Sequence, residues 1–137
     1  MTADRTAGWS GTATPGMFDE VHRCLDAAWA LLPHGPQERA LFDTAVAEVA
    51  ANILQHTAAH LPVDVRFLVT ITPERAHARF TDTGAPAPPG VNATALPGPA
   101  AESGRGLALA RAAVDSVTYA RTAGVNHWDV IAARRPA

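Results

Sequence analysis

The 137-residue sequence contains no lysine, so every one of its eleven basic residues is an arginine. That absence removes the phosphate-gripping lysine of a P-loop, the strand lysine of a protein kinase and any Schiff-base lysine. Phosphate, if bound, has to be held by arginine, backbone N–H groups or a metal ion. Cysteine is almost as scarce. Cys24 stands alone, so no disulfide can close within the chain and a four-thiolate zinc site is excluded. No apolar run approaches the ~18 residues of a membrane span and no signal peptide is visible, so a cytoplasmic location away from membranes is expected. The net charge of -2 and the lack of a basic run leave nothing electrostatic to hold nucleic acid directly.

What is present is a globular composition, 47% hydrophobic against 18% charged, in a length that suits one domain. Much of the apolar share is alanine, so the core rests on few large side chains. Residues 1–8 are small and polar and are expected to form a mobile N-terminal segment, followed by one domain over 9–135. Trp9 to Thr14 reads as a short first strand. Met17, Val21, Leu25, Ala28, Trp29 and Leu32 recur at helical spacing, and Pro33-His34-Gly35 breaks that helix. Pro36 suits the first turn of a second helix running to about Thr57 or Ala58.

Val63 to Ile71 alternates and is β-branched, Thr72-Pro73-Glu74-Arg75 reads as a hairpin turn, and the return strand Ala76–Thr81 ends at Asp82. Residues 83–103 hold five prolines and no periodicity. A loop of that length in a compact domain is usually functional or disordered. Leu107, Leu109, Ala110 and Val114 give a short helix, and Val117–Arg121 with Trp128–Ala132 form a second hairpin around Gly124. The order predicts an α+β two-layer sandwich, with about three helices on one face of a mixed, mostly antiparallel sheet.

Three polar motifs punctuate these elements. In the second helix, Phe42, Val46, Val49 and Ile53 form a narrow apolar stripe, while Glu48, Asn52 and His56, four apart, form a row roughly 90° around from it. A carboxylate and an amide on such a flank suit a divalent ion and a water, although an amphipathic helix can carry them there by chance. His56-x3-His60 has the spacing of a zinc pair but lacks the glutamate of a metalloprotease and an obvious third ligand.

Asp82-Thr83-Gly84-Ala85-Pro86 follows a strand that should pack on the second helix. A carboxylate beside Asn52 can accept the exocyclic amine proton of adenine, and Gly84 lets the backbone pass close to a base. A plain Asx turn explains the same residues. Gly104-Arg105-Gly106-Leu107 opens the third helix, where two glycines expose N–H donors to phosphate and the helix dipole helps. Arg105 supplies the cation that lysine cannot. An ordinary loop ending in a helical turn is the other reading of this segment.

Taken together, the three motifs resemble those of the GHKL, or Bergerat-fold, ATPases, and within them the small bacterial anti-sigma-factor serine kinases. The resemblance runs from about Trp9 to Arg135. Glu48 and Asn52 match the N box, Asp82-x-Gly84-x-Pro86 the first glycine box, and Ala101-Glu102-Ser103-Gly104-Arg105-Gly106-Leu107 the second. Gly124-Val125-Asn126-His127-Trp128-Asp129-Val130 is similar to the last hairpin.

The resemblance implies ATP and Mg2+ as ligands, with Glu48 as general base and Asn52 as the metal ligand. Asp82 would read adenine, and residues 83–103 would include the ATP lid. His56, Gly84, Pro86, Ser103, Gly104, Gly106 and Leu107 would line the nucleotide, with Arg105 near the terminal phosphate. It implies phosphorylation of a serine on an antagonist protein, sequestration of a sigma factor and a homodimer. A non-catalytic nucleotide-binding module that grips a protein partner uses the same motifs, apart from the demand on Glu48. Exposed candidates for a partner surface lie on the first helix, around Arg23 and Asp26, which a solvated charged face explains equally well.

Overall fold

The computed structural model describes residues 4–30, 32–55, 62–87, 91 and 105–134. Five strands and three helices follow in the order β1 (Arg5–Thr12), α1 (Met17–Trp29), α2 (Pro36–Gln55), β2 (Asp64–Ile71), β3 (Arg75–Asp82), α3 (Arg105–Ala113), β4 (Ser116–Thr122) and β5 (Val125–Ala133). The sheet order is β1-β2-β3-β5-β4, and every pairing is antiparallel. The fold is the expected α+β sandwich, with the sheet wholly antiparallel.

Strand alternation decides which face the helices cover. Val65, Phe67, Val69 and Ile71 of β2 and Ala76, Ala78 and Phe80 of β3 are buried, while Arg66, Leu68 and Arg79 between them are exposed. Helix α2 presents Phe42, Val46, Val49 and Ile53, all buried, to that core, as the apolar stripe predicts. Helix α1 adds Met17, Val21, Leu25, Ala28 and Trp29.

Two boundaries differ from expectation. The first strand begins at Arg5, so residues 5–8 belong to the sheet and are not a free tail. Arg5 to Gly8 pair with Ile71 to Leu68, and Ala7 packs against the core. Ala7 and Gly8, with little strand propensity, are held there by the ladder of β2, a tertiary effect that local pattern does not carry. Helix α1 stops at Trp29, where Ala30 leaves helical geometry with ψ 136°.

The turns are as read. Thr72 Oγ1 accepts from the N–H of Glu74 and of Arg75, and the Thr72 N–H donates to the Arg75 carbonyl at 2.8 Å. At the β4–β5 hairpin, Ala123 (φ 52°) and Gly124 (φ 79°) are both left-handed, as a tight two-residue turn between twisted strands demands.

Arg134 fastens the far end of the sheet. Its guanidinium donates to Glu38 at 3.1 Å, to the Thr72 carbonyl at 2.9 Å and to the Pro33 carbonyl, and lies over the Trp29 ring. The opposite end is where β3 finishes, β5 starts and α3 begins, and the polar motifs gather there. Among the described residues, no helix is long and apolar enough to cross a membrane.

Candidate functional site

Register creates the site. Because β5 inserts beside β3, Asp82 at the end of β3 lies directly opposite Asn126. Both are buried, 4% and 2% exposed, and Asn52 on α2 is 8% exposed; these are the buried polar side chains among the described residues. Asn52, Asp82, Gly84 and Asn126 line one small pocket, together with Ala85 and Trp128. Buried polar groups need partners, and those of Asp82 and Asn126 form a closed network.

Asp82 Oδ1 accepts the Gly84 N–H at 2.9 Å and the Asn126 amide at 2.8 Å, while Oδ2 accepts the indole N–H of Trp128 at 3.1 Å. The Asx turn is therefore real, and the same carboxylate also faces the pocket. Asn126 Nδ2 reaches the carbonyls of Ala85 (2.9 Å) and Gly84 (3.3 Å). Its Oδ1 accepts from Arg121 at 2.8 Å and from the Tyr119 hydroxyl. A carboxylate only accepts and a guanidinium only donates, so these partners fix which way the Asn126 amide points. Arg121 also donates to the Gly84 carbonyl at 3.0 Å, and the Tyr119 hydroxyl accepts the Ala87 N–H at 2.9 Å.

A second contact joins α2 to α3. A Cβ placed on Gly106 would lie 2.3 Å from Glu48 Oε2. Only glycine lets the first turn of α3 come this close to the half-buried Glu48 carboxylate. Leu107 is buried beneath the same turn. Gly84 is tight in the same sense, since a Cβ there would meet Asp82 Oδ1 at 2.9 Å.

Glu48, Asn52, Asp82, Gly84, Gly106 and Leu107 are thus drawn to one end of the α2–sheet layer. Pro86 continues the turn after Gly84, and Arg105 is the first residue of α3. His56, His60, Ser103, Gly104 and most of the 83–103 loop lie outside the described residues. On α1, the exposed Arg23 pairs with Glu20 at 3.2 Å, while Asp26 receives Arg39 of α2 and lies 3.5 Å from His22.

A family model described as the histidine kinase-like ATPase domain matches residues 12–131. The chain belongs to that family. No curated protein matches the chain. As a histidine kinase-like ATPase domain the protein is an ATP-binding, kinase-like module, and its residues can be tested against that ligand. The amide of Asn52 and the carboxylate of Glu48 are hard oxygen donors, the type Mg2+ prefers. Among the described residues there is no group of three or more His, Cys, Asp or Glu able to cage a metal. Magnesium commonly takes one or two protein oxygens and completes its shell with phosphates and water, so this sparse donor set fits it.

Asn126, Trp128, Tyr119 and Arg121 were not among the site residues expected from sequence, although the hairpin containing Asn126 and Trp128 was. One signal was available. Asn126, Trp128 and Val130 share one face of β5 by period 2, and an asparagine on the apolar face of a strand is a buried polar group in need of partners.

Proposed function

We propose that this domain is an ATP- and magnesium-dependent serine protein kinase of the anti-sigma type, which phosphorylates an antagonist protein and binds a sigma factor. The observation that carries the reading is the approach of Gly106 to Glu48. It sets a carboxylate beside the first turn of α3, where N–H groups favour phosphate.

In this reading Asp82 accepts the adenine amine, and Gly106 and Leu107 offer backbone donors to the phosphates. Asn52 holds magnesium through its side-chain oxygen. When bound, that ion supplies neutralisation of phosphate charge. Arg105 is the cation for the terminal phosphate, a role no lysine can fill in this chain. Glu48 takes the proton from the incoming serine hydroxyl as the serine oxygen forms its bond to the γ-phosphorus and the bond to the ADP oxygen breaks. Catalysis of this kind is mostly positioning plus charge stabilisation, so a small domain suffices.

The test is transfer of phosphate from γ-labelled ATP to the serine of an antagonist protein, with Glu48→Gln in parallel. Transfer by the natural protein, and a loss of about 100-fold or more in the variant at unchanged ATP affinity, is the expected result. Near-normal transfer by Glu48→Gln removes Glu48 from the base role. ATP binding without transfer leaves a regulatory nucleotide-binding module in place of a kinase.

A further inference from the structure

Asp82 does not meet the pocket as a bare carboxylate. An ionised carboxylate offers about four acceptor positions, two on each oxygen. On Oδ1 both are filled, by the Gly84 N–H and by Asn126 Nδ2. On Oδ2 one is filled by the Trp128 indole. Among the described residues these three donors leave a single acceptor position, on Oδ2. The donors are themselves held. Asn126 is anchored by Arg121 and Tyr119 through its oxygen, and the buried Trp128 ring lies against Tyr119 with centroids 4.6 Å apart.

The two purine bases make different demands on such a group. Guanine offers adjacent ring and exocyclic N–H donors, which suit a carboxylate with both oxygens free. Adenine asks for one acceptor, for its exocyclic amine. We infer that Asn126 and Trp128 are positioning residues for base selection. With the Gly84 N–H they fill three acceptor positions of Asp82, two of them their own, and reduce it to a one-acceptor reader, which admits a 6-aminopurine and refuses the paired donors of a 6-oxopurine.

Selectivity of this form is negative as well as positive, since the filled Oδ1 leaves a guanine donor unmatched. An unmatched buried donor is costly, which is why such sites discriminate strongly. The inference rests on the nucleotide-binding reading of the pocket and goes beyond it by assigning the discrimination to two residues that act through Asp82.

The experiment is calorimetric titration of the natural protein, Trp128→Phe and Asn126→Ser with Mg-ATP and with Mg-GTP, each variant checked for a cooperative thermal transition. Trp128→Phe keeps an aromatic ring in place of the indole and removes the donor to Oδ2, while Asn126→Ser removes the amide donor to Oδ1. The expected result is a preference of the natural protein for ATP that falls about tenfold or more in folded Asn126→Ser, where both oxygens then offer a free position and GTP binding is gained. In Trp128→Phe the preference falls by less, because a second position opens on Oδ2 but Oδ1 stays filled. A folded variant that weakens both nucleotides equally, or keeps the original ratio, overturns the inference while leaving ATP binding intact. Should one variant fail to fold, the ratio in the other decides. No ATP binding by the natural protein would instead remove the underlying reading, and the inference with it.

Discussion

Tyr119 faces Trp128 across the β4–β5 hairpin, and its hydroxyl accepts the N–H of Ala87 at 2.9 Å while donating to Asn126. One phenol therefore links the start of the 83–103 loop to the amide that holds Asp82. Tyr119→Phe preserves the ring contact and deletes both hydrogen bonds. Asn126 keeps the Arg121 donor, so its oxygen is not stranded, but the Ala87 N–H loses its acceptor. The expected cost is about 1–3 kcal/mol in denaturant unfolding, together with faster amide exchange at Ala87. Unchanged exchange at Ala87 would show that this bond does not hold the loop.

Gly106→Ala separates two effects at the α2–α3 contact. Alanine inside a helix is worth up to about 1 kcal/mol over glycine, but its Cβ collides with the Glu48 carboxylate. The carboxylate ends a flexible side chain, so it swings aside at little cost to the fold. Thermal stability is expected to stay within about 1 kcal/mol of the natural protein. Phosphate transfer is expected to fall by about tenfold or more, because the base is displaced. Full transfer by Gly106→Ala would mean that the position of Glu48 beside α3 is not needed.

How much of this was legible beforehand follows from the range of each interaction. The stripe of Phe42, Val46, Val49 and Ile53, the turn at Thr72–Arg75 and the positive-φ hairpin at Gly124 are local, and the sequence pattern carries them. Asp82 beside Asn52 was foreseen because strand β3 had to pack on α2. The start of β1 at Arg5 was not, because residues 5–8 gain their strand character only from the ladder of β2. The network on Asp82 was missed for the same kind of reason. It depends on β5, not β4, lying next to β3, a non-local choice that sets Asn126 opposite Asp82 and Trp128 opposite Phe80. Once that register is known, the asparagine on the inward face of β5 explains itself.

On the opposite face of the sheet, Asp129 receives His77 Nε2 at 2.7 Å and Arg79 Nε at 3.1 Å. Partial burial pushes its carboxyl upward, but the hydrogen bonds and positive charge of His77 and Arg79 outweigh this and hold it below its ordinary value. A carboxyl whose folded value is depressed stabilises the fold fully above its unfolded value and loses that contribution as pH falls through the folded one. The window is therefore acidic, at and below the usual carboxylate range near 4. Because Arg79 is half exposed, the contribution is modest, about 0.5–1 kcal/mol. Asp129→Asn is expected to melt lower than the natural protein at pH 7, with the gap closing as pH falls below about 4. A gap that stays constant down to pH 3, followed by thermal melts across the series, would show that the loss comes from packing and not from the charge on Asp129.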